Sequence, residues 1–489
     1  MILLDPRLRA MSLQMDTVPE ALGMALKLEF ATIPVYLYAL YSIDPQTNPA
    51  VRAMLRSVVI EEMFHMAQVG NILIALGHPP AFDTPDTIPT YPGPLPGGVE
   101  TQLTVQLMPF SDKLLQDTFL VIEEPKSPLL FPGTPPFQPT VPDDGMLTIG
   151  EFYQNINATI QQAGDAPFGT DSTMIQLTSH FGGTTLIQVR NAADAAKAIN
   201  LIVEQGEGKT DTPASPRDLQ GDYAHFYRFL ELLAGQTLTP NPHAAPTDPP
   251  EQQFFFDPTQ PIAFDPAGVR PLRTSPKAAD YTPGSPERTA CDAFNATYTG
   301  LLRTLHDAFN GQPGLLTGTF HTMDTLKAQA LALTQIQIAD GTYAGPTFEF
   351  AVAPAGGVLP IPQENPLPLT SYAQVQAHLT QVLTGNGQID DTRTDSPHGA
   401  WWETLSYTEF ITGTVPGVTD PGTGQPLPTL VKGDAAHSNL VLSLQGVGPL
   451  FDPAANKFGR MPADGPPFFT DAQIQPLSDW INAGCPDTP

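Results

Sequence analysis

Cysteine and positive charge are both scarce in this chain. Lys and Arg number 22 against 50 Asp and Glu, a formal net charge of −28 over 489 residues. A surface of that sign repels nucleic acid phosphates and anionic lipid headgroups, so neither partner is expected, and its ordinary consequence is solubility. The two cysteines, Cys291 and Cys485, cannot build a disulfide framework, and no Cys-x-x-Cys occurs. The opening MILLDPRLRAMSLQM lacks the apolar core behind a basic start that marks a secretory signal. No run of 18 apolar residues occurs, so no membrane span is expected and the default location is cytoplasmic. Gly-x-Gly-x-x-Gly after a strand, a Walker loop and a Gly-x-Ser-x-Gly elbow are also missing, which removes three common enzyme classes.

Apolar residues make up 41% of the chain and charged ones 15%, enough for a sizeable core. With 55 Pro and 40 Gly, ordered domains joined by long loops are expected rather than low-complexity disorder. The stretch VRAMLRSVVIEEMFHMAQVGNILIAL, residues 51–76, organises the rest. Val51, Leu55, Val58, Val69, Ile72 and Leu76 repeat at helical spacing and define one apolar face. Glu62 and His65 fall on that face, three residues apart, where the pattern asks for Leu. An unpaired buried carboxylate costs several kcal/mol, so it needs a partner. A metal ion suits this spacing, because Glu-x-x-His sends two ligands inward from one helix of a bundle.

In chain order, residues 17–42 read as a first helix, with Thr17 and Glu20 as a capping box, Glu29 within the apolar stripe and a kink at Pro34. A short link to the 51–76 helix makes the two antiparallel neighbours. Residues 78–146 are rich in Pro and Gly, with a short helix near Ser111–Ile122. A helix capped by Thr148 and Glu151 covers 147–163, a strand is expected over 184–189, and a helix spans Ala192–Gln205 with Glu204 at its end. Another helix is predicted over 218–234, carrying Asp222 and His225 three residues apart. Two more lie near Pro286–Asn310 and Leu315–Ile338. A linker at 351–366 separates domain 1–350 from a second module, 367–489.

Collecting the polar residues on apolar faces gives Glu29; Glu62 and His65; Glu204; Asp222 and His225. Four carboxylates and two imidazoles on four helices can hold two metal ions. Oxygen and nitrogen donors suit iron, manganese or zinc. Glu207 and Glu151 are rivals of Glu204 for the third-helix position, and Tyr36, Tyr223 and Tyr227 stand near the set as hydrogen-bond partners.

LEFATIPVYLYAL, EEMFHMAQVGNILIALG, IVEQGEG and DYAHFYRFLEL resemble the ferritin-like domain of iminophenylpyruvate dimer synthases, and GEFY and AGPTFE extend the likeness over roughly 15–350. The resemblance implies a mainly α, ferritin-like four-helix bundle with long insertions and extra helices. It implies the same six residues as ligands of two ions, iron first, with Asp222 standing where Glu is usual. The activity it implies is oxidative coupling of imino acids derived from an aromatic amino acid. The C-terminal VKGDAAHSNLVLSLQG, GRMPADGPPF and TDAQIQPLSDWINAGCP are similar to the second half of a class I cytochrome c domain. Cys-x-x-Cys-His is absent there, so a haemless module is expected, with Trp401 and Trp402 filling the space and Met461 a core residue rather than a haem ligand beside His398.

The functional expectation is therefore a non-haem di-metal oxidoreductase that activates oxygen or peroxide on a small organic substrate. A ferroxidase or metal-storage protein and a metal-stabilised, non-catalytic scaffold are the alternatives. Metal identity, substrate and oligomeric state stay open.

Overall fold

A computed structural model describes residues 4–44, 46–82, 84–97, 103–136, 147–169, 176–178, 180–181, 184–206, 208–209, 211–214, 223–351, 369–385, 388–394, 398–452, 457–462 and 468–487. The chain divides into two compact units, Met1–Pro362 and Gln363–Pro489.

The first unit is helical around two long central elements. After the short α1 (Pro6–Ser12) come α2 (Val18–Ser42) and α3 (Pro49–Ala75), which pack along one another. Each begins with a proline in its first turn, where the missing N–H costs nothing. The expected capping box at Thr17 does not form: its hydroxyl turns back to donate to the carbonyls of Met11 (2.8 Å) and Gln14 (3.1 Å). Both helices are buried around most of their circumference, as central core helices are. By length and apolarity α3 could cross a membrane, yet 89% of its most apolar stretch is buried inside the protein.

Three consecutive pieces, Asp112–Leu114, the π-helical turn Leu115–Phe119 and Leu120–Glu123, run on as one helix, α4. Ser111 caps it through Leu114 N–H at 3.1 Å, and Pro125 follows its end. Next are α5 (Ile149–Ala163), α6 (Ala192–Gly206) and α7 (His225–Ala234). Here the capping box is made: Glu151 N–H donates to Thr148 Oγ1 at 3.0 Å and Thr148 N–H to Glu151 Oε2 at 3.1 Å. The strand expected over 184–189 shrinks to β2 (Thr184–Thr185), antiparallel to β1 (His180–Phe181). The backbone beyond it is held by side chains instead, with Ile187 N–H donating to Gln68 Oε1 at 2.7 Å.

Helix α7 starts seven residues later than the sequence pattern predicts. Ala224 is extended (φ −60°, ψ 156°) and Tyr223 bridges to Ala214. The hairpin β3 (Gln236–Pro240) and β4 (Phe254–Pro261) and the packed pair α8 (Pro286–Phe309) and α9 (Leu316–Leu333) complete the unit. Gly70 lets α3 approach α8 closely, since a Cβ there would fall 2.2 Å from the Phe309 ring.

The second unit has α10 (Tyr372–Gly385), α11 (Ile389–Thr394), α12 (Trp401–Thr404), α13 (Tyr407–Thr412), α14 (Asn439–Gln445), α15 (Gly448–Phe451) and α16 (Asp471–Asn482), with a small hairpin of β5 (Thr414–Thr419) and β6 (Pro426–Pro428). Its core sets a cluster of aromatic rings among aliphatic side chains. Trp401 stacks on Phe410 at 5.1 Å, and Phe410 meets Trp480 edge-on at 6.3 Å. Met461 is only half-buried and stands outside this core, contrary to expectation, while its backbone N–H donates to Ser443 O at 2.9 Å. Cys291 and Cys485 are both free and buried, one in each unit.

Candidate metal centre

Four helices of the first unit aim ionisable side chains at one point. Glu29 comes from α2, Glu61, Glu62 and His65 from α3, Glu123 from the last turn of α4, and His225 from the first turn of α7. All six are buried, with His225 fully enclosed.

Glu62 is central. Its Oε1 lies 3.0 Å from His225 Nδ1 and its Oε2 lies 4.0 Å from His65 Nδ1. Each imidazole faces a second carboxylate: Glu29 Oε2 is 3.6 Å from His65 Nδ1, and Glu123 Oε2 is 3.6 Å from His225 Nδ1. Two groups result, Glu29–Glu62–His65 and Glu62–Glu123–His225, each with donor atoms within 4.8 Å of one another. They share Glu62, and the two imidazole rings lie 5.5 Å apart.

Outer partners fix Glu29, Glu123 and both imidazoles. His65 Nε2 bonds Gln205 Oε1 of α6 at 3.0 Å, and His225 Nε2 bonds Glu61 Oε2 at 2.8 Å. With Nε2–H donating outward, each Nδ1 presents its lone pair to the centre. Glu61 is held in turn by Arg228, one turn beyond His225, through Nη2–Oε2 at 2.8 Å and Nη1–Oε1 at 3.3 Å. Tyr153 Oη of α5 donates to Glu29 Oε1, and Tyr36 Oη of α2 donates to Glu123 Oε1.

Protons alone satisfy this arrangement poorly. Burial and the charge of Glu123 push the Glu62 carboxyl up to about 8. Burial would raise Glu29 too, but its bond and ion pair with His65 and the Tyr153 hydroxyl hold it below the usual carboxylate range. Burial would lower both imidazoles, yet Glu29 and Glu62 raise His65, and Glu123, Glu61 and Glu62 raise His225 well above its ordinary value. Among the described residues, Glu29, Glu62 and Glu123 find no Lys or Arg within ion-pair distance. His225 Nδ1 is buried and finds no acceptor in hydrogen-bonding geometry. A buried, orphaned imidazole nitrogen beside two carboxylate oxygens fits divalent cations, and the all-N/O donor set suits iron, manganese or zinc.

Of the six residues expected from the sequence, Glu29, Glu62, His65 and His225 meet here. Glu204 does not: it sits one residue off the buried stripe of α6, its side chain is 32% exposed, and it pairs with Lys209 at 3.4 Å. Asp222 and Glu207 lie outside the described residues. The helical i, i+3 premise for Asp222 and His225 fails because the intervening Tyr223 and Ala224 are not helical. Glu151 is engaged as a cap and with Lys126. Of the tyrosines, Tyr36 reaches the centre; Tyr227 Oη accepts from Leu129 N–H at 3.1 Å instead.

Sequence reasoning missed Glu123, Glu61, Gln205, Arg228 and Tyr153. Two carried a readable signal. Gln205 continues the buried stripe Ala195, Ala198, Ile202 at helical spacing, and Glu61 follows buried Val58 by three.

Residues 22–234, from α2 to α7, match the sequence model of the ferritin-like family, and that stretch contains every residue of the centre. Among solved structures the chain is similar to a ferritin-like protein from Caulobacter vibrioides, at 23% identity and a TM-score of 0.44, covering 69% of this chain and 99% of that one. No curated protein matches the chain.

Proposed function

We propose that the ferritin-like domain is a non-haem dinuclear metal oxidoreductase, working with oxygen or peroxide on a small organic substrate. Glu29 and His65 would hold one ion, Glu123 and His225 the other, and Glu62 would be shared. The observation that carries this reading is Glu62, whose two carboxylate oxygens face two different imidazoles. Iron is the ion this helical carboxylate–histidine pattern favours. When bound, such ions supply redox and Lewis-acid chemistry.

The chain's own residues do the positioning. Gln205 and Glu61 fix the ring orientations of His65 and His225. Tyr153 and Tyr36 each occupy one oxygen of a terminal carboxylate, which leaves the other oxygen for an ion. Leu28, Leu95, Ile122, Ile149 and Ile202 form the apolar part of the wall of the adjoining chamber. That chamber has a volume of about 50 Å³. At roughly 10–15 Å³ per water-sized group, it admits a small oxidant or the reactive end of a substrate. A larger outer cavity of about 690 Å³ shares Gly150 and Val203 with it and would house the remainder of the substrate. The likeness of these helices to iminophenylpyruvate dimer synthases makes imino acids of aromatic amino acids the class to test first.

Metal-free protein reconstituted with Fe(II) under anaerobic conditions, then given oxygen or peroxide with and without imino acids, tests the reading. Oxidant consumption that depends on the organic substrate is expected. Sustained Fe(II) oxidation far beyond two ions per chain, with no organic substrate, would replace it with the ferroxidase reading.

A further inference from the structure

The two halves of the centre match on the inside and differ on the outside. Each has an imidazole Nδ1, one terminal carboxylate tied to a tyrosine and one oxygen of Glu62. Behind His225 stands an anion, Glu61, gripped by both Nη atoms of Arg228, whose Nη1 also bonds Ser57 Oγ at 3.1 Å and whose Nε bonds Tyr223 O at 2.6 Å. Behind His65 stands a neutral amide, Gln205, whose own nitrogen finds no acceptor among the described residues. A carboxylate that accepts a ligating imidazole's outer N–H makes the ring a stronger donor than an amide carbonyl does. The chamber differs in the same sense: Glu29, Glu62, Glu123 and His65 line it, and His225 does not.

We propose that the two metal positions are inequivalent, the His225/Glu123 position being the tight, structural one and the His65/Glu29 position the weaker, exchangeable one that faces the chamber. This rests on the dinuclear reading above. The asymmetry separates two tasks that equal positions would confound. An ion backed by an anion that Arg228 holds in place stays, whereas an ion backed by an amide and open to the chamber exchanges and meets incoming molecules.

Mutual repulsion makes a second ion bind more weakly even at identical positions, so each position must be measured alone. Co(II) titration of the metal-free full chain, followed by visible absorbance and calorimetry, does this with two variants. His65→Ala leaves the His225 position and His225→Ala leaves the His65 position, with far-UV circular dichroism showing that both are folded. His65→Ala should bind its single ion about 10–100-fold more tightly than His225→Ala. Gln205→Glu, which supplies an anion behind His65 and strands no buried charge of Arg228, should tighten the weaker step of the full site by a similar factor. Equal affinities in the two single-position variants, with two ions still bound by the parent chain, would overturn the inequivalence and leave the dinuclear reading standing. Fewer than two ions in the parent chain would overturn both.

Discussion

The centre of the first unit and the core of the second are both buried, but they are buried in opposite ways. Around Trp401, Phe410 and Trp480 the side chains close on one another, and two of the indoles have partners: Trp402 Nε1 donates to Thr380 Oγ1 and Trp480 Nε1 to the Pro486 carbonyl, at 2.9 and 2.8 Å. Among the described residues of that unit, no group of acids and imidazoles lies close enough to hold a metal ion. Around Glu62, Glu29, Glu123 and two imidazoles converge with their outer atoms bonded and their inner atoms turned toward the shared carboxylate. Burial at that price is tolerated when a cation completes the set. Buried polarity that is satisfied only on its outer side distinguishes a binding centre from a core.

The largest expected effect is at the shared residue. Glu62→Ala should take bound metal from two ions per chain to none by elemental analysis, because it removes a donor from both groups. Trp480→Ala, in the second unit, should leave metal content unchanged.

Stability draws the contrast differently. Arg228→Ala leaves Glu61 as a buried carboxylate without its guanidinium and should cost about 3–5 kcal/mol. Trp480→Ala should cost a similar 3–5 kcal/mol by leaving a cavity. In denaturant titrations, added metal should restore part of the loss for the first variant and none for the second.

A pH series sharpens the comparison further. The Glu62 pKa rises from 4.5 unfolded to about 8 folded, so the metal-free fold takes up a proton that the unfolded chain lacks between those values. That stabilisation is complete below about 4.5 and is lost as pH rises through about 8; the raised imidazoles His65 and His225 act in the same direction. Glu29 and Glu61 are lowered and act oppositely, stabilising the fold above their unfolded values and losing that contribution as pH falls. Metal-free protein should therefore lose stability from neutral to alkaline pH, and Glu62→Gln should flatten that limb. Metal affinity should rise over the same range, since the ion displaces the proton.

The smallest effect belongs to a single positioning bond. Tyr153→Phe removes the hydroxyl that Glu29 Oε1 accepts and should cost about 1 kcal/mol of thermal stability.

Much of this centre could be read from helical periodicity, and the exceptions have physical causes. Glu29, Glu62 and His65 sit on unbroken 3.6-residue patterns, so their positions on buried faces were legible. Glu123 was not, because it ends a helix of three turns in a proline-rich stretch, and the π-helical turn Leu115–Phe119 shifts the phase that would have marked its face. Glu204 misled through its chemistry: a carboxylate beside a buried stripe attracts attention, while Gln205, which lies on the stripe, is not a ligand type. The later start of α7 comes from Ala224 and Tyr223, whose extended backbone no periodicity reveals. Thr17 shows the same limit at a helix end, since its hydroxyl has two local carbonyls to choose and takes those.

The central claim is that Glu62 bridges two metal positions. Anomalous diffraction from crystals of iron-loaded protein tests it most directly. Two peaks about 3.5–4 Å apart are expected, one beside Glu29 and His65 and one beside Glu123 and His225, with Glu62 between them. A single peak away from Glu62, or no peak above background in fully loaded crystals, would contradict it.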